Sequence, residues 1–352
     1  MNAADGALNA VDALLAAGGL SHGTRSTQAA AQVKTARPAS RPAASAKAKG
    51  HAPLLLRVPA WERHPWLVHG FSTRLGGVST AYAPGSGRGE LNLGFTPGDI
   101  LENILRNREI FLRALVGNAS QPRRRPLPAL VLLRQIHSGI VYRMDDADVP
   151  DVTDAPTETL RAGDGMMTAL PDRLLAIQTA DCLPVLVVDL RQRVVAAFHA
   201  GWRGTAQRIV ERGVGRMRAE LGSRPADLTA CIGPGIGPCC YAVGEDLRSE
   251  FASQFAYSDA LFREVYDLDP IKEKYPLLFL TARAPGHSNL GPSIHLDLVE
   301  ANRRQLLDAG VVPGKIHALG MCTACHTGQF FSHRAGQGFT GRMMAAIGTL
   351  PS

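Results

Sequence analysis

RLLAIQTADCLPVLVVDLRQRVVAAFHAGWRG, residues 173–204, decides how this chain folds. It holds three apolar runs, 174–178, 184–189 and 194–199, nearly continuous and rich in β-branched residues. A strand with one wet face alternates polar and apolar residues, whereas a strand covered on both faces does not. The runs therefore predict buried strands. Outward from them, residues 99–116, 205–221, 245–256 and 295–309 repeat apolar positions at the helical period, the last closed by Gly310. Further apolar runs ending in Gly- or His-rich turns occur at 54–61, 68–79 and 129–144. Strands alternating with helices predict a mixed α/β domain over 53–350, with mixed β-sheets flanked by helices. Residues 257–292 read as an irregular excursion, and no fixed-period repeat is evident.

Upstream the texture is different. Residues 21–50 hold no aromatic residue and almost nothing large and apolar. Such a segment cannot bury enough surface to offset its backbone entropy, so 1–52 is expected to be a disordered extension, with at most a marginal helix at 7–17. The extension also biases the charge. Residues 1–50 carry six bases and two acids, so the formal +7 of the 352-residue chain leaves only +3 on the remaining 302. A nearly neutral body with 20 aromatic residues does not imply a nucleic-acid partner, though a local anion pocket fits. No run of about 18 apolar residues predicts a membrane span. The acids Asp5 and Asp12 stand ahead of the first apolar segment, which argues against a secretory signal. A cytoplasmic protein, monomeric or a small homo-oligomer, is expected. In that setting the six cysteines read as thiols or metal ligands, not as a disulfide framework.

Three of the predicted strand ends carry reactive side chains: Gln135-Ile136-His137, Thr179-Ala180-Asp181-Cys182 and His199-Ala200-Gly201-Trp202-Arg203-Gly204. One cysteine and two histidines are the donors of a catalytic zinc site that leaves a fourth position for water. The same residues read as a cysteine nucleophile, Cys182, with His199 or His137 as base and Asp181 as orienting group. Separations of 45 and 17 residues along the chain do not choose between them. Arginines flank turn glycines at Arg74, Arg203, Arg334 and Arg342, and would form an anion pocket if they converged. Gly233-Pro234-Gly235-Ile236-Gly237 lacks the spacing of a phosphate loop and reads as a tight turn. Cys322-Thr323-Ala324-Cys325-His326 matches the c-type haem pattern, but no export signal accompanies it. As half of a structural zinc site it lacks a clear second half beyond Cys239 and Cys240, and chance is the plainer account.

With HGFSTRLGGVS (69–79), LNLG (91–94), QIHS (135–138), GDGMMT (163–168), TADCLPVLVVD (179–189), HAGWRGTAQRIV (199–210), IGPGIGPCCYAVGED (232–246), LDL (296–298) and FFSHR (330–334), the chain resembles one family over about 65–348. This is the laccase-domain, or multicopper polyphenol oxidase, family of purine nucleoside phosphorylases, also called peptidoglycan editing factor. The resemblance implies a fold similar to toxin-type cysteine hydrolases. It also implies a metal, zinc with copper as the alternative, held by His137, Cys182 and His199, which would be the catalytic residues. The activities it implies are phosphorolysis of adenosine, inosine and methylthioadenosine and deamination of adenosine; the alternatives are editing of a peptidoglycan precursor and polyphenol oxidation. Arg74, Arg203 or Arg334 would hold phosphate, and Asp181 or His333 would protonate the leaving base. Ala242 and Ala335 stand where the family has Glu and Arg, each removing a charge near the cleft. With 11 histidines and no His-x-His pair, the chain is short of ligands for several coppers.

Overall fold

The stretch 173–204 forms three strands, but they belong to two sheets: β7 (Arg173–Thr179) lies in one, while β8 (Leu183–Asp189) and β9 (Val194–Ala200) pair in the other. The computed structural model describes residues 52–82, 88–117, 127–145, 160–266 and 292–351. The expected disordered extension and the helix at 7–17 lie outside these, as do residues 267–291 of the expected excursion. By its contacts the chain divides into Met1–Lys47 and Ala48–Ser352, and everything below concerns the second unit.

The first sheet has the order β1 (Leu55–Leu56), β2 (Leu67–Ser72), β15 (Met343–Thr349), β7, β4 (Ala129–Val131). The second runs β14 (Ile316–Ala318), β10 (Leu228–Ile232), β8, β9, β6 (Gly165–Thr168), β5 (Val141–Arg143). A small third sheet holds β11 (Ala242–Val243), β13 (Ser293–Leu296) and β12 (Phe262–Val265), while β3 (Leu75–Ser79) makes isolated bridges to Glu90. Both parallel and antiparallel pairs occur in each large sheet, as the mixed reading requires.

Why the strands lack alternation is visible in the layers. Successive side chains of β7 and β15 point to opposite faces. Leu175, Ile177, Ala345 and Ile347 pack between the two large sheets, whereas Leu174, Ala176, Met344 and Ala346 face α1 (Leu101–Val116). In the second sheet Leu186 and Val188 face inward, and Leu183, Val185 and Val187 face the helices on the other side. Those helices are α2 (Trp202–Ala206), α3 (Ile209–Leu221), α4 (Glu245–Gln254) and α5 (Leu298–Asp308). The order is helix, sheet, sheet, helices. Each fully buried Val or Leu in such a strand contributes about 1.5–3 kcal/mol.

Three expectations need correction. The helix expected over 205–221 is broken into α2 and α3, because Arg208 takes a left-handed backbone, φ 59°. The helix expected from 295 begins at Leu298, where the Asp297 side chain accepts from the Glu300 amide at 3.0 Å, and the residues before it pair as β13. The excursion is not irregular throughout, since Phe262–Val265 pairs antiparallel with β13. No helix among the described residues is long and apolar enough to cross a membrane.

Candidate active site

At Ala180-Asp181-Cys182 the chain steps from the first sheet to the second, and the side chains at this crossing face a cavity of ≈ 520 Å³. Cys182 immediately precedes β8. His199 occupies the penultimate position of β9, opposite Pro184 in the ladder. His137 comes from the loop between β4 and β5 and holds φ 59°, an uncommon backbone for a residue with a Cβ. Fixed conformations of this sort are retained where surrounding bonds over-determine them. Here they do: the Ile136, His137 and Ser138 amides and the Ser138 hydroxyl all donate to the Asp164 carboxylate, at 3.2, 2.9, 2.6 and 2.7 Å.

Asp164 is fully buried, and its Oδ1 also meets His199 Nδ1 at 2.8 Å. One carboxylate thus fixes both histidines. It leaves Nε2 of His199 free to face Cys182, the arrangement by which a carboxylate orients a metal-ligating imidazole. Burial alone would raise the Asp164 carboxyl, but the bonds from His199 and Ser138 outweigh it and hold it at about 2. Burial likewise pushes the Cys182 thiol up, yet the charge of His199 and bonds from His137 and His199 bring it down to about 6. Burial pulls His199 down, and Cys182 and Asp164 together lift it to about 9.

One ligand atom from each of His137, Cys182 and His199 lies within 4.8 Å of the other two. A tetrahedral ion with bonds of about 2.0–2.3 Å needs donors roughly 3.3–3.8 Å apart, so these three fit one metal ion with a small adjustment. Gly201 makes the approach feasible: a Cβ there would sit 2.7 Å from Cys182 Sγ and 3.2 Å from His137 Cδ2.

The arginines separate into two groups. Arg334 and Arg342 line the cavity, as do His333, Asp181, Gln178 and Tyr241. The Arg334 guanidinium bonds only the Ala242 carbonyl, at 3.0 Å, and Arg342 only the Thr340 and Gly341 carbonyls, at 3.3 and 3.1 Å. Among the described residues neither pairs with a carboxylate. Burial lowers the Arg342 pKa. The two expected sites Arg74 and Arg203 do not line the cavity. Arg74 is ion-paired with Glu90, bonds the Thr327 carbonyl and lies over the Phe331 ring, so its charge is spent on the scaffold. Arg203 is exposed and stacked on Trp202.

Asp181 lines the cavity and is anchored at both oxygens: Oδ1 accepts from Thr323 and Oδ2 from the Arg334 amide, both at 2.6 Å. These bonds hold the 323–334 segment against the β7–β8 crossing. Burial, then the charge of Cys182, pushes the Tyr241 phenol up to about 12, so it remains a donor at neutral pH. Asp164 and Tyr241 were not singled out as site residues in the sequence. The available signal was an aspartate between two glycines opening a buried strand, Gly163-Asp164-Gly165.

The model of one protein family, described as multi-copper polyphenol oxidoreductase laccase, matches residues 68–350. A purine nucleoside phosphorylase, YlmD, of Geobacillus stearothermophilus is 32% identical over 293 residues, 82% of this chain and 95% of that protein. Adenosine deaminase RL5, from an unknown prokaryotic organism, is 31% identical over 220 residues, 61% of this chain and 75% of that protein. The crystal structure of Bacillus licheniformis YfiH superposes with a TM-score of 0.68 at 31% identity, covering 85% of this chain and 97% of that one. With the matched segment running from β2 through β15 and taking in His137, Cys182 and His199, the chain belongs to the multi-copper polyphenol oxidoreductase laccase family.

Proposed function

We propose that this chain is a metal-dependent purine nucleoside phosphorylase, taking adenosine, inosine and methylthioadenosine with phosphate, and that it also deaminates adenosine. The catalytic domain is 53–350, and its free thiols suit the cytoplasm. The observation that carries the reading is the pairing, in one cavity, of a His–Cys–His donor group with two guanidinium groups that no described carboxylate neutralises. Relatives named for both activities support it.

His137, Cys182 and His199 would hold the ion, zinc by donor type with copper as the alternative. When bound, such an ion supplies a Lewis acid and a water acidified toward about pH 7. Arg334 and Arg342 hold phosphate so that one oxygen faces the anomeric carbon of the ribose. As the C–O bond forms, the bond from that carbon to the purine nitrogen breaks and the electron pair leaves with the base. His333, which lines the same cavity, protonates the departing nitrogen. Tyr241 and Ile236 line the cavity beside them and exclude water from the base. Its volume lies within the range of small-ligand sites.

Zinc-loaded protein given inosine should release hypoxanthine only when phosphate is present, and Arg342→Gln should raise KM for phosphate about 10–100-fold, the worth of one charge-assisted bond. Release without phosphate would make the protein a hydrolase and overturn the reading. The second reading rests on the Cys182–His199 contact, which would also suit a cysteine hydrolase editing a peptidoglycan precursor. Amidase turnover by metal-free protein would favour it.

A further inference from the structure

Four thiols converge away from the Cys182 site. Cys239 and Cys240 follow the Gly233–Pro238 turn, and Cys322 and Cys325 lie in the segment after β14. All four Sγ atoms lie within 4.8 Å of one another, with Cys325 at 3.3 Å from Cys239 and 3.4 Å from Cys240. The reading of Cys322-x-x-Cys325 as a chance match is therefore corrected, since the second half it lacked is brought to it by the fold. An isolated parallel bridge between Gly235 and Cys322 and a bond from the Thr323 amide to the Gly235 carbonyl, 3.0 Å, set the register. Eighty-one residues lie between Cys240 and Cys322 in the chain, so no local pattern shows the set.

We propose that Cys239, Cys240, Cys322 and Cys325 bind one zinc ion in a closed four-thiolate site, separate from the His137–Cys182–His199 group. Zinc–sulfur bonds of about 2.3 Å place the sulfurs of a tetrahedron about 3.8 Å apart; the 3.3 and 3.4 Å separations fall within about half an ångström of that, and no pair of the four exceeds 4.8 Å. The Gly237 amide donates to Cys322 Sγ at 3.2 Å, the kind of contact that favours a thiolate. Neutral thiols gain little from such crowding, because S–H is a weak donor and S a weak acceptor. Zinc binding forms four Zn–S bonds and releases the thiol protons, with no electron transferred. Four protein ligands leave no open position, so the site is structural.

What it would hold together matters to the cavity. One arm, 233–241, carries Ile236 and Tyr241; the other, 321–334, carries Thr323, His333 and Arg334. Zinc would fasten one cavity wall to the other. Cys239 and Cys325 are exposed, which gives an ion or a chelator a way in.

The test uses the full chain bearing Cys182→Ser, which weakens the cavity group, together with His137→Ala to remove it. Reduced, metal-free protein is given zinc alone and dialysed. The proposal expects one zinc per chain, and cobalt in its place should give the strong sulfur-to-cobalt absorption of four thiolates. Adding Cys239→Ser and Cys325→Ser should abolish both signals. A wild-type measurement guards against misfolding of that variant: chelator-driven zinc release should make Cys239, Cys240, Cys322 and Cys325 reactive to iodoacetamide together, as mapped by peptide mass. Zero zinc in the double variant overturns the proposal. So does full alkylation of the four in zinc-saturated wild type, or a mass showing disulfides that form again in the presence of zinc.

Discussion

Asp164 has two oxygens and receives three backbone amides, one hydroxyl and the His199 ring. An asparagine would offer a single accepting oxygen and turn an NH2 toward donors. Asp164→Asn should therefore weaken zinc binding about 10–100-fold in a chelator competition, the usual effect of losing a partner of a ligating histidine. Unchanged affinity would show that the carboxylate only braces the loop. Gly201→Ala probes the same point from the opposite side, because its new Cβ would displace Cys182 Sγ. Turnover should fall at least about tenfold, by the kind of small displacement that costs rate at a reacting centre, while thermal unfolding moves little. Equal losses of turnover and stability would instead assign Gly201 to packing. At this scale the sequence was informative about donors and poor about their supports. His137, Cys182 and His199 were legible as reactive side chains ending apolar runs. Asp164 was not, because an aspartate between glycines looks the same whether it turns a loop or is buried beneath two histidines. The arginines show the complementary difficulty: a guanidinium spent on Glu90 and one facing a cavity have the same local sequence signature.

Elements were legible where their pattern is local. The three strands of 173–204 and the helices near 101–116 and 245–254 formed as the periodicity indicates, since apolar spacing is written in adjacent residues. Two boundaries failed for physical reasons. Nothing in the helical period around Arg208 announces its left-handed backbone, which is stabilised by bonds to Glu211 and the Gln254 carbonyl. The start of α5 was set by a cap, Asp297, inside an otherwise continuous apolar pattern. Removing that cap with Asp297→Ala should cost about 1 kcal/mol in denaturant unfolding, with a small addition from the Arg263 contact at 3.6 Å. A change under about 0.2 kcal/mol would mean that β13 pairing, not the cap, defines the helix start. Which sheet each strand joins was not legible, because β7 and β8 carry the same kind of residues and only their partners differ.

Across the whole molecule, the layers bury polar groups that must stay neutral, and His69 in β2 is one. Burial, then the charge of Arg57, pushes its imidazole down to about 4, and its Nε2 accepts from the Val58 amide at 2.9 Å. The unfolded chain takes up a proton near pH 6.5 while the folded one does not, so stability falls as pH drops from 6.5 toward 4. The loss at that site is on the order of 3 kcal/mol. His69→Gln, which can still accept from Val58, should flatten the fall in unfolding midpoint over that interval; an unchanged slope would place the acid sensitivity elsewhere. The same layering brings the crossing at 180–182, the end of β9 and the loop after β4 to one rim, and on that convergence the functional account stands. Anomalous diffraction at the zinc edge, from crystals grown with zinc, tests it most directly. The account predicts a peak about 2.0–2.3 Å from His137, Cys182 and His199 together. Zinc-saturated crystals with no peak among these three donors would contradict it.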